Sequence, residues 1–231
     1  MMCIENNLVS VRDKIKFAAL KAGRTPEDIT LAAVTKFQSA DRVNEAIASG
    51  VRVIAENRAQ ELAEKYPLLN KPEDLRIHFI GHLQKNKIKY IIDKVDMVQS
   101  VDSTELASAL NSAAEKCGKE LDVLLQVNIG NEPQKFGFSV LDVVSAACEI
   151  SGFSNLRLRG VMAILPITVD EDGAKKLFSE MCKVFLDIRD KIEDNSNINV
   201  LSMGMSNDYE WAIESGSTLV RVGRAIFGER K

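Results

Sequence analysis

The chain has 231 residues, 45% of them hydrophobic, with 30 basic and 33 acidic residues for a net charge of −3. This is enough chain for a sizeable core, and the composition is ordinary for a globular protein. The charge balance leaves no basic footprint for nucleic acid or an anionic membrane, and no apolar run approaches a membrane span.

Leu8, Val11, Ile15 and Ala18 share one face at helical spacing, which predicts an N-terminal helix. Strands are then predicted near residues 30–35, 51–55, 75–80, 97–101, 121–128, 157–165, 198–202 and 218–222. Helical patterns lie between them. One spans residues 41–49, with Ser39 as N-cap and Gly50 as stop. Another starts near Ser103, turns Leu106, Leu110 and Ala113 inward and ends at Gly118. A longer one carries Leu177, Met181, Val184, Ile188 and Ile192 on one stripe, and a short one spans residues 208–214. Strands such as Val123-Leu124-Leu125 are continuous apolar runs, the mark of a parallel sheet covered on both faces. Eight such units predict one α/β domain over residues 1–231, a (β/α)8 TIM-type barrel with an extra N-terminal helix. An open doubly wound sheet is the alternative. Against it, no GxGxxG follows the first strand, and Lys36 stands where that loop would be.

Reactive groups in such barrels sit at the C-terminal ends of strands. Those ends read Thr35-Lys36, Glu56-Asn57, His78 to His82, Ser100-Val101-Asp102, Asn128, Met162, Ser202 to Asn207, and Arg221 to Arg224. A lysine at the mouth of an apolar core loses water around its ammonium, and its neutral amine becomes a nucleophile for aldehydes. Pyridoxal phosphate is the biological aldehyde that most often uses such a lysine. A solvated strand-end lysine is the plain alternative. Ser206, in a glycine-containing turn that opens a helix, offers a hydroxyl and free N–H groups to an anion, or serves only as an N-cap. Gly223-Arg224 brings a second glycine turn and a cation to the loops after strands seven and eight. Arg221 lies in an apolar segment and requires a partner, either a carboxylate such as Glu56 or Asp102 or a ligand atom.

No metal site is expected. His78 and His82 flank a strand end rather than share a helix face, and no HExxH is present. Cys3, Cys117, Cys148 and Cys182 lack CxxC spacing, which fits reduced thiols in a cytoplasmic protein. The last three fall in apolar helical patterns and are expected to pack in the core. Residues 1–7 lack the basic start and apolar core of a signal peptide.

Several strings together carry a resemblance. They are residues 31–36, Glu56-Asn57-Arg58-Ala59-Gln60-Glu61, His78-Phe79-Ile80-Gly81-His82-Leu83-Gln84-Lys85-Asn86-Lys87, Leu201-Ser202-Met203-Gly204-Met205-Ser206 and residues 220–228. The segments 128–137 and 159–164 complete the set. Over almost its whole length the chain resembles the pyridoxal phosphate homeostasis proteins, whose barrel is related to the N-terminal domain of alanine racemases. The resemblance implies pyridoxal 5′-phosphate as cofactor and Lys36 as the Schiff-base lysine. It implies Asn57 beside the cofactor, Ser206 on its phosphate, and Arg221 against the pyridine nitrogen. Gly223 and residue 224 would donate to the phosphate. Position 224 commonly holds a small hydroxyl residue in this family, so Arg224 keeps only the backbone contact. Lys135 also matches a family lysine and is a candidate second amine.

The resemblance and the chemistry together limit catalysis. An arginine at the pyridine nitrogen can only donate, so it leaves that nitrogen unprotonated and weakens the electron sink. Racemisation also needs a second proton carrier opposite the lysine. In alanine racemases a tyrosine from a C-terminal domain supplies it, and a chain ending at Lys231 is expected to lack that domain. Tyr66, Tyr90 and Tyr209 all fall in or near helices. The expected function is therefore binding and buffering of pyridoxal phosphate in a cytoplasmic monomer, with pyridoxal-dependent apo-enzymes as acceptors and no robust turnover. A weak racemase or lyase is the alternative, and a phosphate-binding barrel enzyme unrelated to pyridoxal is a third reading.

Overall fold

The computed structural model describes residues 3–166 and 170–229. Its strands are β1 (Thr30–Val34), β2 (Val53–Glu56), β3 (Arg76–Phe79), β4 (Met97–Val101), β5 (Leu121–Val127), β6 (Leu156–Ala163), β7 (Val200–Met205) and β8 (Leu219–Val222). Each pairs in parallel with the next, and β8 pairs with β1 to close the barrel. All eight predicted strands are present, and the open-sheet alternative is excluded. Closure sets Ala32 opposite Arg221 in the β1–β8 register.

The helices are α1 (Ile4–Lys21), α2 (Ala40–Ala48), α3 (Ala59–Lys65), α4 (Thr104–Lys116), α5 (Val143–Ser151), α6 (Glu171–Lys191), α7 (Tyr209–Glu214) and α8 (Arg224–Phe227). Local chemistry sets several ends. Ser39 accepts from the Arg42 N–H at the start of α2, and Ser103 accepts from the Leu106 N–H at the start of α4. Gly50 and Gly118 follow those two helices with φ of 87° and 61°, where a side chain would strain the backbone. On α1, Leu8, Val11, Ile15 and Ala18 are buried as their spacing predicts. Ile192 falls just past the end of α6 rather than on its stripe.

Most of the core lies between the sheet and the helices. The barrel's inside is partly polar: His78, Gln99, Ser202 and Arg221 are all buried. Met162, next to last in β6, is fully buried. The cysteine expectation fails at two positions. Cys117 caps the C-terminus of α4 and is exposed, Cys148 is exposed on α5, and only Cys182 is half-buried. Their patterns were apolar, but the thiols fall on the solvent side of the stripes.

Candidate ligand site

The C-terminal ends of the strands surround a cavity of about 1020 Å³. Lys36, Asn57, Ser206, Arg221, Gly223 and Arg224, all six site residues expected from the sequence, line it. Lys36 lies two residues past the end of β1 and is half-buried. Lys135, from the loop after β5, lines the same cavity, ion-paired with Glu132 at 2.5 Å and donating to Leu165 O at 3.3 Å.

Arg221 takes neither carboxylate proposed for it. Its Nη1 donates to Ser202 Oγ at 2.6 Å and its Nη2 to Ala163 O at 2.7 Å. Burial lowers its pKa, Asp208 opposes the shift, and the guanidinium stays charged at neutral pH. Glu56 pairs instead with Lys65, and Asp102 with His82. From Arg221 a chain of hydrogen bonds crosses the barrel interior. Ser202 Oγ donates to Gln99 Oε1 at 2.7 Å, and Gln99 Nε2 lies 2.8 Å from His78 Nδ1. An amide N–H can only donate, so His78 accepts on Nδ1 and carries its proton on Nε2. Burial pushes the His78 pKa down to about 4, which keeps the ring neutral at neutral pH.

Ser206 is not the cap of α7; Asp208 holds that position, and its Oδ1 accepts from the Met205 N–H. Ser206 Oγ instead accepts from the backbone N–H of Gly223 at 3.2 Å and of Ala225 at 3.5 Å. Two amides after β8 thus converge on an oxygen beside the cavity. The Arg224 side chain is exposed and donates to Asn207 Oδ1 at 3.0 Å. Asn57 brings a buried Oδ1 with no protein partner. Its backbone is pressed against Gly81, where an added side-chain carbon would lie 2.0 Å from Asn57 O. An amine, a donor-only cation, an unsatisfied amide and amides aimed at an oxygen suit an aldehyde-bearing ligand with an anionic tail.

One pair at the mouth escaped the sequence reading. His82 Nδ1 lies 2.9 Å from Asp102 Oδ2, and its ring stacks on Phe136 at 3.6 Å and 11°. Both rings line the cavity. The strand-end rule pointed to each position, but the pairing joins three separate loops. Tyr66, Tyr90 and Tyr209 do not line the cavity among its described residues. No group of three metal-ligating side chains occurs among the described residues.

The family model for the alanine racemase N-terminal domain matches residues 8–231. The pyridoxal phosphate homeostasis protein of Escherichia coli (strain K12) is 38% identical over 229 residues, covering 98% of this chain and 97% of that protein. The chain belongs to the pyridoxal phosphate homeostasis protein family. Another relative of that name, from Pseudomonas aeruginosa, is 38% identical over 231 residues, covering 100% of this chain and 97% of its own. Among solved structures, PipY of Synechococcus elongatus PCC7942 with pyridoxal phosphate bound superposes with a TM-score of 0.85 at 30% identity, covering 97% of this chain and 100% of PipY. An alanine racemase of Clostridium difficile 630 has a TM-score of 0.71 at 18% identity, a likeness of fold alone, and this chain covers 57% of it.

Proposed function

We propose that this member of the family holds pyridoxal 5′-phosphate through a carbon–nitrogen double bond between its aldehyde and Lys36 Nζ, and serves in vitamin B6 homeostasis without robust turnover. The observation that carries this reading is the meeting of Lys36, Asn57, Arg221, Ser206 and Gly223 on one cavity. When bound, the cofactor supplies an electrophilic carbonyl and a conjugated ring. Lys36 provides the amine, and the amides of Gly223 and residue 224 with Ser206 hold the phosphate. Asn57 bonds the ring substituents through its unsatisfied amide. Arg221, already fixed by two acceptors, offers only donors to the ring nitrogen, which disfavours its protonation and so the carbanion chemistry of an enzyme. Acceptors of the cofactor would be pyridoxal-dependent apo-enzymes.

A second reading, weak amino-acid racemisation or lysis, rests on the His82–Asp102 pair, because a carboxylate-oriented imidazole is a proton carrier in the same cavity as Lys36. The two readings part in deuterated water. Pure protein loaded with pyridoxal phosphate is expected to leave the Cα proton of every amino acid in a broad panel in place. Exchange that is lost in both Lys36→Ala and His82→Phe would establish the second reading instead.

A further inference from the structure

Both peptide groups that flank Lys36 are gripped by an ion cluster, buried at Lys65 and Glu56 and partly exposed at Glu61, that lies outside the ligand cavity. On one side, Lys65 Nζ donates to Thr35 O at 2.9 Å. On the other, the Phe37 N–H donates to Glu61 Oε1 at 2.6 Å. The two grips are one unit, because Lys65 also donates to Glu61 Oε1 at 3.1 Å and to Glu56 Oε1 at 2.5 Å. Thr35 Oγ1 donates to the same Glu56 oxygen at 2.6 Å. Lys65 and Glu56 are 7% and 0% exposed, so the bonds among Lys65, Thr35 and Glu56 are shielded from water, while the bond from Phe37 to Glu61 lies at the exposed edge of the cluster. Each of the two peptide groups is a rigid plane, and their orientations set the φ and ψ of the residue between them. Lys36 is that residue.

The backbone next to it shows what the cluster works against. Phe37 has φ of 62°, a left-handed conformation that a bulky side chain adopts only when its surroundings over-determine it. The bond from Glu61 to its N–H helps hold it there, and the Arg58 guanidinium lies 4.6 Å over the Phe37 ring. A turn bond from the Gln38 N–H to Thr35 O completes the bend.

We propose that Lys65 and Glu61 are positioning residues for Lys36: they fix the backbone from which its amine extends, so that Nζ meets the ligand carbonyl at one angle. The inference rests on the reading of Lys36 as the aldehyde-binding amine. A cluster that merely stabilised this end of the barrel would lower the melting temperature and leave the reactivity of Lys36 in folded protein unchanged.

The test compares full-length wild type with Lys65→Met, Glu61→Ala and Glu61→Gln, each checked for folding by circular dichroism. Two quantities are read. One is the rate at which pyridoxal phosphate becomes trapped on Lys36 by borohydride, located by peptide mass spectrometry. The other is the affinity for 4′-deoxypyridoxine phosphate, which lacks the aldehyde and cannot react with an amine. Glu61→Ala is expected to slow trapping on Lys36 at least about tenfold, as small misplacements of reacting groups do, and to leave binding of the unreactive analogue unchanged. Glu61→Gln keeps an acceptor for the Phe37 N–H and is expected to restore most of the rate. Lys65→Met is expected to lose at least as much as Glu61→Ala; if it fails to fold, the partly exposed Glu61 decides. Wild-type trapping rates in folded Glu61→Ala, or equal losses of trapping and of analogue binding, would overturn the proposal. A wild type that binds the analogue but is never trapped on Lys36 would overturn the site reading itself, and this inference with it.

Discussion

Gln99 Nε2 lies 2.8 Å from His78 Nδ1, deep inside the barrel, and the direction of that bond is set by Arg221 at the other end of a chain of four side chains. A guanidinium only donates, so the Ser202 hydroxyl passes its own proton to Gln99, whose amide then donates to the imidazole. The chain has one polarity. A protonated His78 would break it, since both ring nitrogens would then be donors.

Stability should therefore fall in acid through His78. The unfolded chain takes up this proton near pH 6.5, whereas the folded protein does so only near pH 4. The contribution is fully present above pH 6.5 and is lost as pH falls from there through 4. It is worth on the order of 3 kcal/mol. Urea midpoints of wild type and His78→Gln, compared across that range, should converge as pH drops; parallel pH profiles would contradict the assignment.

Ser202→Ala leaves Arg221 Nη1 and Gln99 Oε1 without their partner in a buried site. Loss of about 1–3 kcal/mol of stability is expected. Pyridoxal phosphate should also bind more weakly, because the guanidinium is no longer held in place. Denaturant unfolding and titration of the visible absorbance measure the two effects separately.

Gly81→Ala places a carbon where Asn57 O already sits. The Asn57 backbone must move, at a cost of roughly 1–3 kcal/mol or more. Cofactor affinity should fall with it, since Asn57 carries the unsatisfied amide in the cavity wall. Wild-type affinity in this variant would remove Asn57 from the site.

Ser206→Ala removes the oxygen on which the Gly223 and Ala225 amides converge. Affinity for pyridoxal phosphate should drop by about tenfold, the worth of one hydrogen bond to a charged group. Affinity for pyridoxal, which lacks the phosphate, should be unchanged. Equal losses for both ligands would place the phosphate elsewhere.

Much of this was legible in the chain, and the reasons are physical. Strands buried on both faces read as continuous apolar runs, so all eight were found. Strand-end positions are local, so the residues from Lys36 to Arg224 could be gathered at one mouth. The partners of Arg221 were not legible. Ser202 and Ala163 meet it, and Gln99 and His78 extend the chain from Ser202, only through the arrangement of β3, β4, β6, β7 and β8, which no local pattern encodes. The same holds for His82 and Phe136, whose stacking depends on two loops meeting. Cys117 and Cys148 show the limit of periodicity, since a residue beside an apolar stripe can still face water.

The most direct measurement is borohydride reduction of the pure protein with pyridoxal phosphate, followed by peptide mapping. The account predicts a yellow protein whose reduced label sits on the peptide bearing Lys36, and no label there in Lys36→Ala. A colourless protein, or label confined to Lys135 and surface lysines, would contradict it.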